Sequence, residues 1–167
     1  MNTSVTAGST GAGPYLIGVD VGTGSARAGL FDLSGRMLAS AKRDISLFRG
    51  PGAMVEQSST EIWAAVCASV REAMHKAAVA PEAVAGIGFD ATCSLVVLGE
   101  KGKPLPVGPS EDPERDIIVW MDHRAVDQVE RINAGGYDVL RYVGGIISPE
   151  METPKLLWLK ENRQQVF

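Results

Sequence analysis

The residues best suited to chemistry form one short run near the start of the chain, Asp20-Val21-Gly22-Thr23-Gly24-Ser25-Ala26-Arg27. A glycine turn can direct several backbone N–H groups at phosphate oxygens. Thr23 and Ser25 add hydroxyl donors, Arg27 adds a forked cation, and Asp20 can hold Mg²⁺. The run therefore suits a metal–polyphosphate, although it lacks the Gly-Lys-Ser/Thr of a Walker loop. From spacing alone, a plain hairpin with a solvated carboxylate and arginine explains it equally well.

The flanking sequence predicts the strands that position this turn. Residues 15–19 form an apolar run typical of a buried strand, and residues 26–30 alternate in the manner of a second strand. A turn at residues 32–35 then leads to a third strand over residues 36–45. Two successive hairpins predict an antiparallel meander.

The elements that follow place a helix after this meander. Ser58 and Glu61 have capping-box spacing, and an amphipathic helix is predicted over residues 60–78. Later segments predict three further strands, at residues 84–90, 94–98 and 117–120. They also predict three further helices, at residues 123–133, 136–143 and 153–162. The Pro- and Gly-rich stretch 99–116 predicts a surface loop. The order predicts an α/β fold, a mixed sheet that starts with antiparallel hairpins and is covered by helices.

Composition excludes several classes of function. With 45% hydrophobic and 22% charged residues, the 167-residue chain suits one globular domain with a core. Its net charge of −4 and its lack of a Lys/Arg patch argue against nucleic acid as a partner. The two cysteines and two histidines lack metal-ligand spacing, which favours a reduced, cytoplasmic setting. No apolar run is long enough to span a membrane, and residues 1–14 predict a disordered lead-in without the features of a secretory signal.

Several ordered segments of the chain resemble the FGGY family of sugar kinases. The resemblance covers roughly residues 15 to 163. It is strongest in the glycine turn and in four later segments: Glu56-Gln57-Ser58-Ser59, Gly86-Ile87-Gly88-Phe89-Asp90-Ala91-Thr92-Cys93-Ser94, Val119-Trp120-Met121-Asp122-His123-Arg124-Ala125, and the stretch from Gly144 to Lys160. Such a resemblance implies the actin-like, ribonuclease H-like ATPase fold, with ATP and Mg²⁺ as cofactors and a small-molecule sugar as the second substrate.

The resemblance also implies roles for individual residues. Those implied to bind the ATP phosphates are Gly22, Thr23, Gly24, Ser25 and Arg27, and the implied metal residue is Asp20. Those implied to line a sugar pocket are Asp90, Ala91, Thr92, Trp120 and Asp122. The residue chemistry agrees, because carboxylates accept hydrogen bonds from hydroxyls and an indole supplies a flat apolar wall with one donor.

Structural roles for the same residues remain open. Trp120 can be a core tryptophan that closes a strand, and Asp122 can cap a helix that starts near His123. Asp90 needs some partner, which can be a sugar hydroxyl or a backbone N–H.

Within the family, the 89–94 segment and the Trp-x-Asp-His-Arg-Ala motif look most like the D-ribulokinase branch. Xylulose kinases tend to carry Met-His at the positions of Ala91 and Thr92, and glycerol kinases tend to carry Arg-Glu there. Both of these activities are therefore less favoured for this chain than D-ribulokinase activity. The expected reaction is phosphorylation of D-ribulose. Another FGGY substrate (L-ribulose, ribitol or D-xylulose) and a non-catalytic sugar- or nucleotide-binding module are the alternatives.

The resemblance implies that residues 15–167 are an incomplete N-terminal kinase domain. In the family, the catalytic base is an aspartate from a later segment, so none is assigned in this chain. We therefore expect the chain alone to be inactive. A truncated domain is also expected to expose apolar surface and to associate, and a homodimer is one form of such association.

Overall fold

The computed structural model describes residues 13–167, so the predicted lead-in at residues 1–14 lies almost wholly outside the described residues. Within these residues there are eight strands: β1 Tyr15–Val21, β2 Ser25–Phe31, β3 Met37–Asp44, β4 Phe48–Arg49, β5 Val55–Gln57, β6 Val84–Ala91, β7 Leu95–Val96 and β8 Ile117–Ile118. The same described stretch has three α-helices: α1 Ser59–Lys76, α2 Val126–Ala134 and α3 Glu152–Asn162. Short 3₁₀ segments lie at Pro81–Ala83, Glu100–Gly102 and Asp138–Val143.

The described chain divides into two compact units within the stretch predicted as one domain. The first comprises residues up to Asp44 together with Ala65–Ala91, and the second comprises Ile45–Ala64 together with Thr92–Phe167. Each unit has its own sheet, with strand orders β3-β2-β1-β6 and β4-β5-β8-β7.

The first unit has the predicted mixed sheet. β1 pairs antiparallel with β2, and β2 pairs antiparallel with β3, which forms the predicted meander. β1 also pairs in parallel with β6, which places β1 between β2 and β6 in the sheet. Alternate residues of β1 and β2 are buried, including Ile17, Val19, Ala28 and Leu30. The prediction of a mixed sheet that begins with antiparallel hairpins and carries helices is confirmed.

Helix α1 lies close to this sheet because its buried side chains are small. Ala65, Ser69 and Ala73 recur at four-residue spacing and are all buried. The Ser69 hydroxyl donates to the Ala26 carbonyl oxygen at 3.3 Å. Small residues on one helix face allow the helix and the strand backbone to approach closely, and a hydroxyl bond across that contact fixes their register.

The start of α1 matches half of the predicted capping box. The Ser58 hydroxyl accepts a hydrogen bond from the Glu61 N–H at 3.1 Å, as the spacing predicts. The Glu61 carboxylate instead accepts from both the N–H and the hydroxyl of Ser46, at 3.1 and 2.8 Å. In a complete capping box the Glu61 carboxylate would accept from the backbone N–H of Ser58. Here it accepts from two donors of Ser46.

The second unit contains elements that the sequence analysis missed or misplaced. Strands β4 and β5 were not predicted, and the predicted strand 117–120 is reduced to Ile117–Ile118. The predicted helix 123–133 begins only at Val126, and the segment predicted as helix 136–143 is a 3₁₀ turn. The core of this unit packs Val107 and Ile118 against Leu159 of α3.

The prediction that residues 99–116 form a wet surface loop is wrong for part of the stretch. Val107 is 0% exposed and belongs to the core, and Asp116 is also fully buried. The Asp116 carboxylate accepts from the N–H and the hydroxyl of Ser59, at 2.8 and 2.5 Å. Composition predicted a loop, but backbone and carboxylate bonds anchor its later part inside the unit.

The turn between β2 and β3 gives a pH-dependent prediction. Hydrogen bonds from the Ser34 hydroxyl and the Arg36 guanidinium lower the pKa of Asp32 from 3.8 to about 2. A carboxyl group with a lowered folded pKa stabilises the turn above the unfolded pKa, and the contribution is lost as pH falls through about 2. We expect a ¹³C NMR titration to place the Asp32 midpoint near 2 and Ser34→Ala to raise it.

Ser40→Ala is the matched control for this titration and should leave the Asp32 midpoint unchanged. The Lys76 ammonium group donates to the backbone carbonyl oxygen of Ser40, and alanine keeps this carbonyl. A parent midpoint close to 3.8 would show that the Ser34 and Arg36 bonds do not form in solution.

Candidate phosphate-binding and sugar-binding residues

The first unit brings three of the predicted site residues to one level of its sheet. Asp20 on β1 is the register partner of Arg27 on β2 and of Asp90 on β6. Residues at equivalent register on neighbouring strands project from the same face of a sheet. Two carboxylates and one guanidinium, 70 residues apart at their extremes in sequence, are therefore neighbours in the fold.

Asp20 and Arg27 form an ion pair at the surface. The Arg27 Nη1 atom lies 2.7 Å from the Asp20 Oδ2 atom, and the two side chains are 56% and 47% exposed. Such exposed pairs contribute little to stability. Both groups therefore remain accessible to a charged ligand.

The glycine turn between these strands is tight. The Gly22 N–H donates to the Ser25 carbonyl oxygen at 3.0 Å, so this N–H is used within the turn. Ser25 is only 3% exposed, and burial argues against a direct ligand contact by its hydroxyl. Gly24 is exposed, and a Cβ atom built on it would meet no atom within 4 Å. A ligand can therefore approach the backbone at Gly24 closely.

An open groove of about 600 Å³ runs over this face of the sheet, and both carboxylates and Arg27 line it. Its floor includes Gly18, Gly29 and Gly88, which are register partners on three adjacent strands. The Phe31 ring lies over Gly29, where an added Cβ would come within 2.8 Å of it. The floor is thus made of backbone and one aromatic ring, with charge at one end.

The predicted metal fits this arrangement. Mg²⁺ is usually held through one or two carboxylates together with phosphate oxygens and water. Asp20 and Asp90 supply two carboxylates at one register. Among residues 13–167, no cluster of three or more metal-binding side chains is present, so any metal here would depend on the phosphates for further ligands.

In the second unit, two other predicted residues are joined through Ser94. The backbone N–H of Trp120 donates to the Ser94 hydroxyl oxygen at 3.1 Å. The Thr92 and Ser94 hydroxyl oxygens lie 3.2 Å apart, within hydrogen-bond distance. Trp120 is partly buried, as expected for a residue that either closes a core or forms the wall of a pocket.

Asp122 is fully buried, and its carboxylate already has several donors. It accepts from the Val55 N–H at 2.6 Å and from the Arg124 N–H at 2.8 Å, and it forms an ion pair with the Arg124 guanidinium. The following helix begins at Val126 with Ala125 at its cap position, so Asp122 does not cap that helix. A sugar contact by Asp122 stays a prediction, which these bonds disfavour.

Arg124 and Glu56 complete this buried network. The Arg124 guanidinium lies 2.9 Å from the Glu56 carboxylate and donates to the Val107 carbonyl oxygen at 2.9 Å. Both side chains are almost fully buried. Gly108 faces Glu56 so closely that an added Cβ would lie 2.0 Å from its Oε1 atom. No role was predicted for these residues, because the Arg124 bonds to Glu56 and Val107 join positions that are distant in sequence.

Lys155 is a further buried cation without a predicted role. It lies on α3, is 0% exposed, and donates to three main-chain carbonyl oxygens of the second unit. Burial lowers its pKa. Helical spacing places it on the same face as Leu159, four residues later, and that spacing could have indicated a buried lysine.

Comparison with known proteins shows the family to which the chain belongs. Residues 15–167 match the N-terminal domain of the FGGY family of carbohydrate kinases. The chain belongs to this family. We therefore consider Asp20, Arg27 and Asp90 below for roles in a carbohydrate kinase.

Individual FGGY proteins are similar over nearly the whole described chain. A human FGGY carbohydrate kinase domain-containing protein is 50% identical over 152 residues, which is 91% of this chain and 27% of that protein. A D-ribulokinase from Saccharomyces cerevisiae is 50% identical over 150 residues, which is 89% of this chain and 21% of that protein. The chain thus spans about a quarter of the length of these relatives.

The fold is shared with solved structures. The crystal structure of a xylulose kinase from Rhodospirillum rubrum matches with a TM-score of 0.77 at 24% identity, over 92% of this chain and 30% of that one. At this identity the likeness shows the fold alone, and it confirms the predicted actin-like architecture of FGGY kinases. None of the helices within residues 13–167 has the length and apolar character needed to cross a bilayer.

Proposed function

We propose that this chain supplies the N-terminal domain of an ATP- and Mg²⁺-dependent kinase that phosphorylates a pentulose, with D-ribulose as the preferred substrate. The observation that carries the proposal is the meeting of Asp20, Arg27 and Asp90 at one register of three strands, beside an open glycine turn. The choice of D-ribulose rests on the similarity to the yeast D-ribulokinase.

In the proposed reaction, the oxygen of a terminal sugar hydroxyl bonds to the γ-phosphorus of ATP while the bond to the β-phosphate oxygen breaks and ADP leaves, and the residues of this chain hold the reactants. The exposed guanidinium of Arg27 binds phosphate oxygens, and the backbone near Thr23 and Gly24 approaches them closely. Asp20 would hold Mg²⁺, which would neutralise charge on the polyphosphate. Gly22 sets the turn through its own hydrogen bond, and we leave the buried Ser25 out of the proposed contacts.

For the sugar, we propose contacts from Asp90, Ala91, Thr92 and Trp120. The Asp90 side chain is exposed and can accept hydrogen bonds from sugar hydroxyls, and Thr92 can donate or accept. We assign Asp122 a supporting role, because its carboxylate is buried and bonded to protein donors. We assign no catalytic base to this chain, so the base that deprotonates the attacking hydroxyl is proposed to come from elsewhere in the enzyme.

An ADP-release assay on the intact gene product tests the proposal. D-ribulose, L-ribulose, ribitol, D-xylulose and glycerol are compared, and the 167-residue chain is assayed alongside. We expect the highest kcat/KM with D-ribulose and no turnover by the short chain, because kinase chemistry needs a positioned base as well as phosphate contacts. Failure to phosphorylate any sugar of the panel would overturn the proposed activity.

A binding module without catalysis is the alternative from a different class, and calorimetry on the short chain separates the two. A module that works alone should bind Mg-ADP or a sugar tightly. The kinase proposal expects weak binding, because the groove on the first unit is open and encloses little of a ligand.

A further inference from the structure

Lys155 is the most completely buried cation of the second unit whose role the proposed function leaves unexplained. Its ammonium group donates to the carbonyl oxygens of Val119 at 3.1 Å, Trp120 at 2.8 Å and Glu150 at 3.2 Å. An ammonium group has three N–H donors, so these bonds use its full capacity. Burying a charge costs free energy unless its donors have acceptors. The three carbonyl oxygens supply those acceptors for the Lys155 ammonium group.

Two of the three acceptors belong to the segment that carries Trp120. The shortest of the three bonds goes to the Trp120 carbonyl itself. On the other side of the same residue, the Trp120 N–H donates to the Ser94 hydroxyl at 3.1 Å. The two peptide groups that flank the Trp120 Cα atom are therefore each held by a side chain from a different part of the unit.

Holding both peptide groups fixes the backbone dihedral angles of one residue. The direction of the Cα–Cβ bond follows from those angles, and rotamer choice depends on them as well. Lys155 and Ser94 together therefore determine the direction in which the Trp120 indole leaves the backbone. Ser94 in turn contacts the Thr92 hydroxyl, so the same small network includes a second proposed sugar residue.

We propose that Lys155 is a positioning residue for sugar binding, which acts by fixing the backbone of Trp120. This inference rests on the proposed function, because it takes Trp120 to be a wall of the sugar site. A lysine that served only to join α3 to the neighbouring segment would affect stability without a selective effect on the sugar.

The test compares Lys155→Met with Leu159→Ala in the intact gene product. Methionine keeps an unbranched side chain and removes the ammonium group, so the partly buried Trp120 and Glu150 carbonyl groups lose this donor, while the Val119 carbonyl keeps the bond from the Asp122 N–H. Leu159 lies on the same face of the same helix and packs into the core with Val107 and Ile118, so its truncation weakens α3 packing without removing the Trp120 bond.

For Lys155→Met we expect the KM for D-ribulose to rise about tenfold or more, as loss of a buried charged hydrogen bond suggests, while the KM for ATP stays within about twofold. For Leu159→Ala we expect a lower melting temperature and a sugar KM close to that of the parent. Equal changes in sugar KM for the two variants, in proportion to their loss of stability, would overturn the proposal.

A second readout does not depend on activity. Fluorine NMR of the same variants labelled with 5-fluorotryptophan is expected to give separate signals for Trp63, Trp120 and Trp158, which Trp→Phe variants assign. We expect Lys155→Met to shift or broaden the Trp120 signal and to leave the exposed Trp63 signal in place. An unchanged Trp120 signal would overturn the inference even if the sugar KM had risen.

Ser94→Ala keeps the inference testable if Lys155→Met does not fold. It removes the bond on the other side of Trp120 and is expected to move the same fluorine signal and the sugar KM in the same directions by a smaller amount. A parent enzyme that phosphorylates no sugar would overturn the proposed function alone, because the fluorine spectra would still decide whether Lys155 fixes Trp120.

Discussion

Asp20→Asn in the intact gene product is expected to lower kcat/KM for Mg-ATP by about a hundredfold or more, the usual effect of removing one group that stabilises charge in a transition state. Asparagine keeps the size of the side chain and its ability to accept a hydrogen bond, but it has no charge for a metal ion or for Arg27. Because Asp20 and Arg27 are both about half exposed, their ion pair adds little to stability, and the folded fraction should not change. Steady-state ADP release over a range of MgCl₂ concentrations measures the effect.

Asp44→Asn is the matched control, because Asp44 is an exposed carboxylate that also ends a strand of the same sheet and pairs with a cation, Lys42. This variant should keep kcat/KM within about twofold, since surface ion pairs of this kind contribute little. If Asp20→Asn behaves like Asp44→Asn, then Asp20 serves only as the surface partner of Arg27 and the proposed metal site is wrong.

Asp122→Ala is expected to destabilise the chain by about 3–5 kcal/mol, the range found when one partner of a buried ion pair is removed. The Asp122 side chain is 0% exposed and the Arg124 side chain is 1% exposed, so water cannot easily replace the lost carboxylate. The change also removes the acceptor of the buried Val55 N–H bond. Urea unfolding followed by circular dichroism measures the difference from the parent.

Asp127→Ala, an exposed aspartate in the first turn of α2, is the control for this measurement. Its free energy of unfolding should stay within about 0.5 kcal/mol of the parent value, as for most surface substitutions. Asp122→Asn should fall between the two, because the amide oxygen can still accept from Val55. A loss below about 1 kcal/mol for Asp122→Ala would show that the carboxylate is not structural and would favour a direct sugar contact.

The elements predicted correctly are those whose signals are local and long. The first three strands are seven or eight residues long, and α1 runs through 18 residues with a cap at its start. Strands of two or three residues, such as β4 and β5, are too short to show a period of two. β5 forms because β8, some 60 residues later, supplies its partner backbone, which no local window of sequence contains, and β4 in turn pairs with β5.

The candidate site also contains features that adjacent residues predict and features that depend on residues distant in sequence. The glycine turn with Asp20 and Arg27 is contiguous in sequence and could be recognised from its residue types. The burial of Asp122 could not, because it depends on Val55 and Arg124 together, and Val55 is 67 residues away. A helix cap and a ligand contact were the partners expected for that carboxylate; the structure excludes the cap and adds a buried arginine, and the ligand contact stays a prediction.

The parallel pairing of β1 with β6 has a consequence for how the chain is made. β2 follows β1 after a turn of three residues, so this hairpin can close as soon as both strands have left the ribosome. The partner of β1 on its other side begins at Val84, and closing so long a loop slows folding. Until then the chain carries an unpaired strand edge, and Ile87 and Phe89 of β6 are still about half exposed in the folded unit. We therefore expect the window between synthesis of β1 and synthesis of β6 to be the stage at which chaperones protect this chain from aggregation.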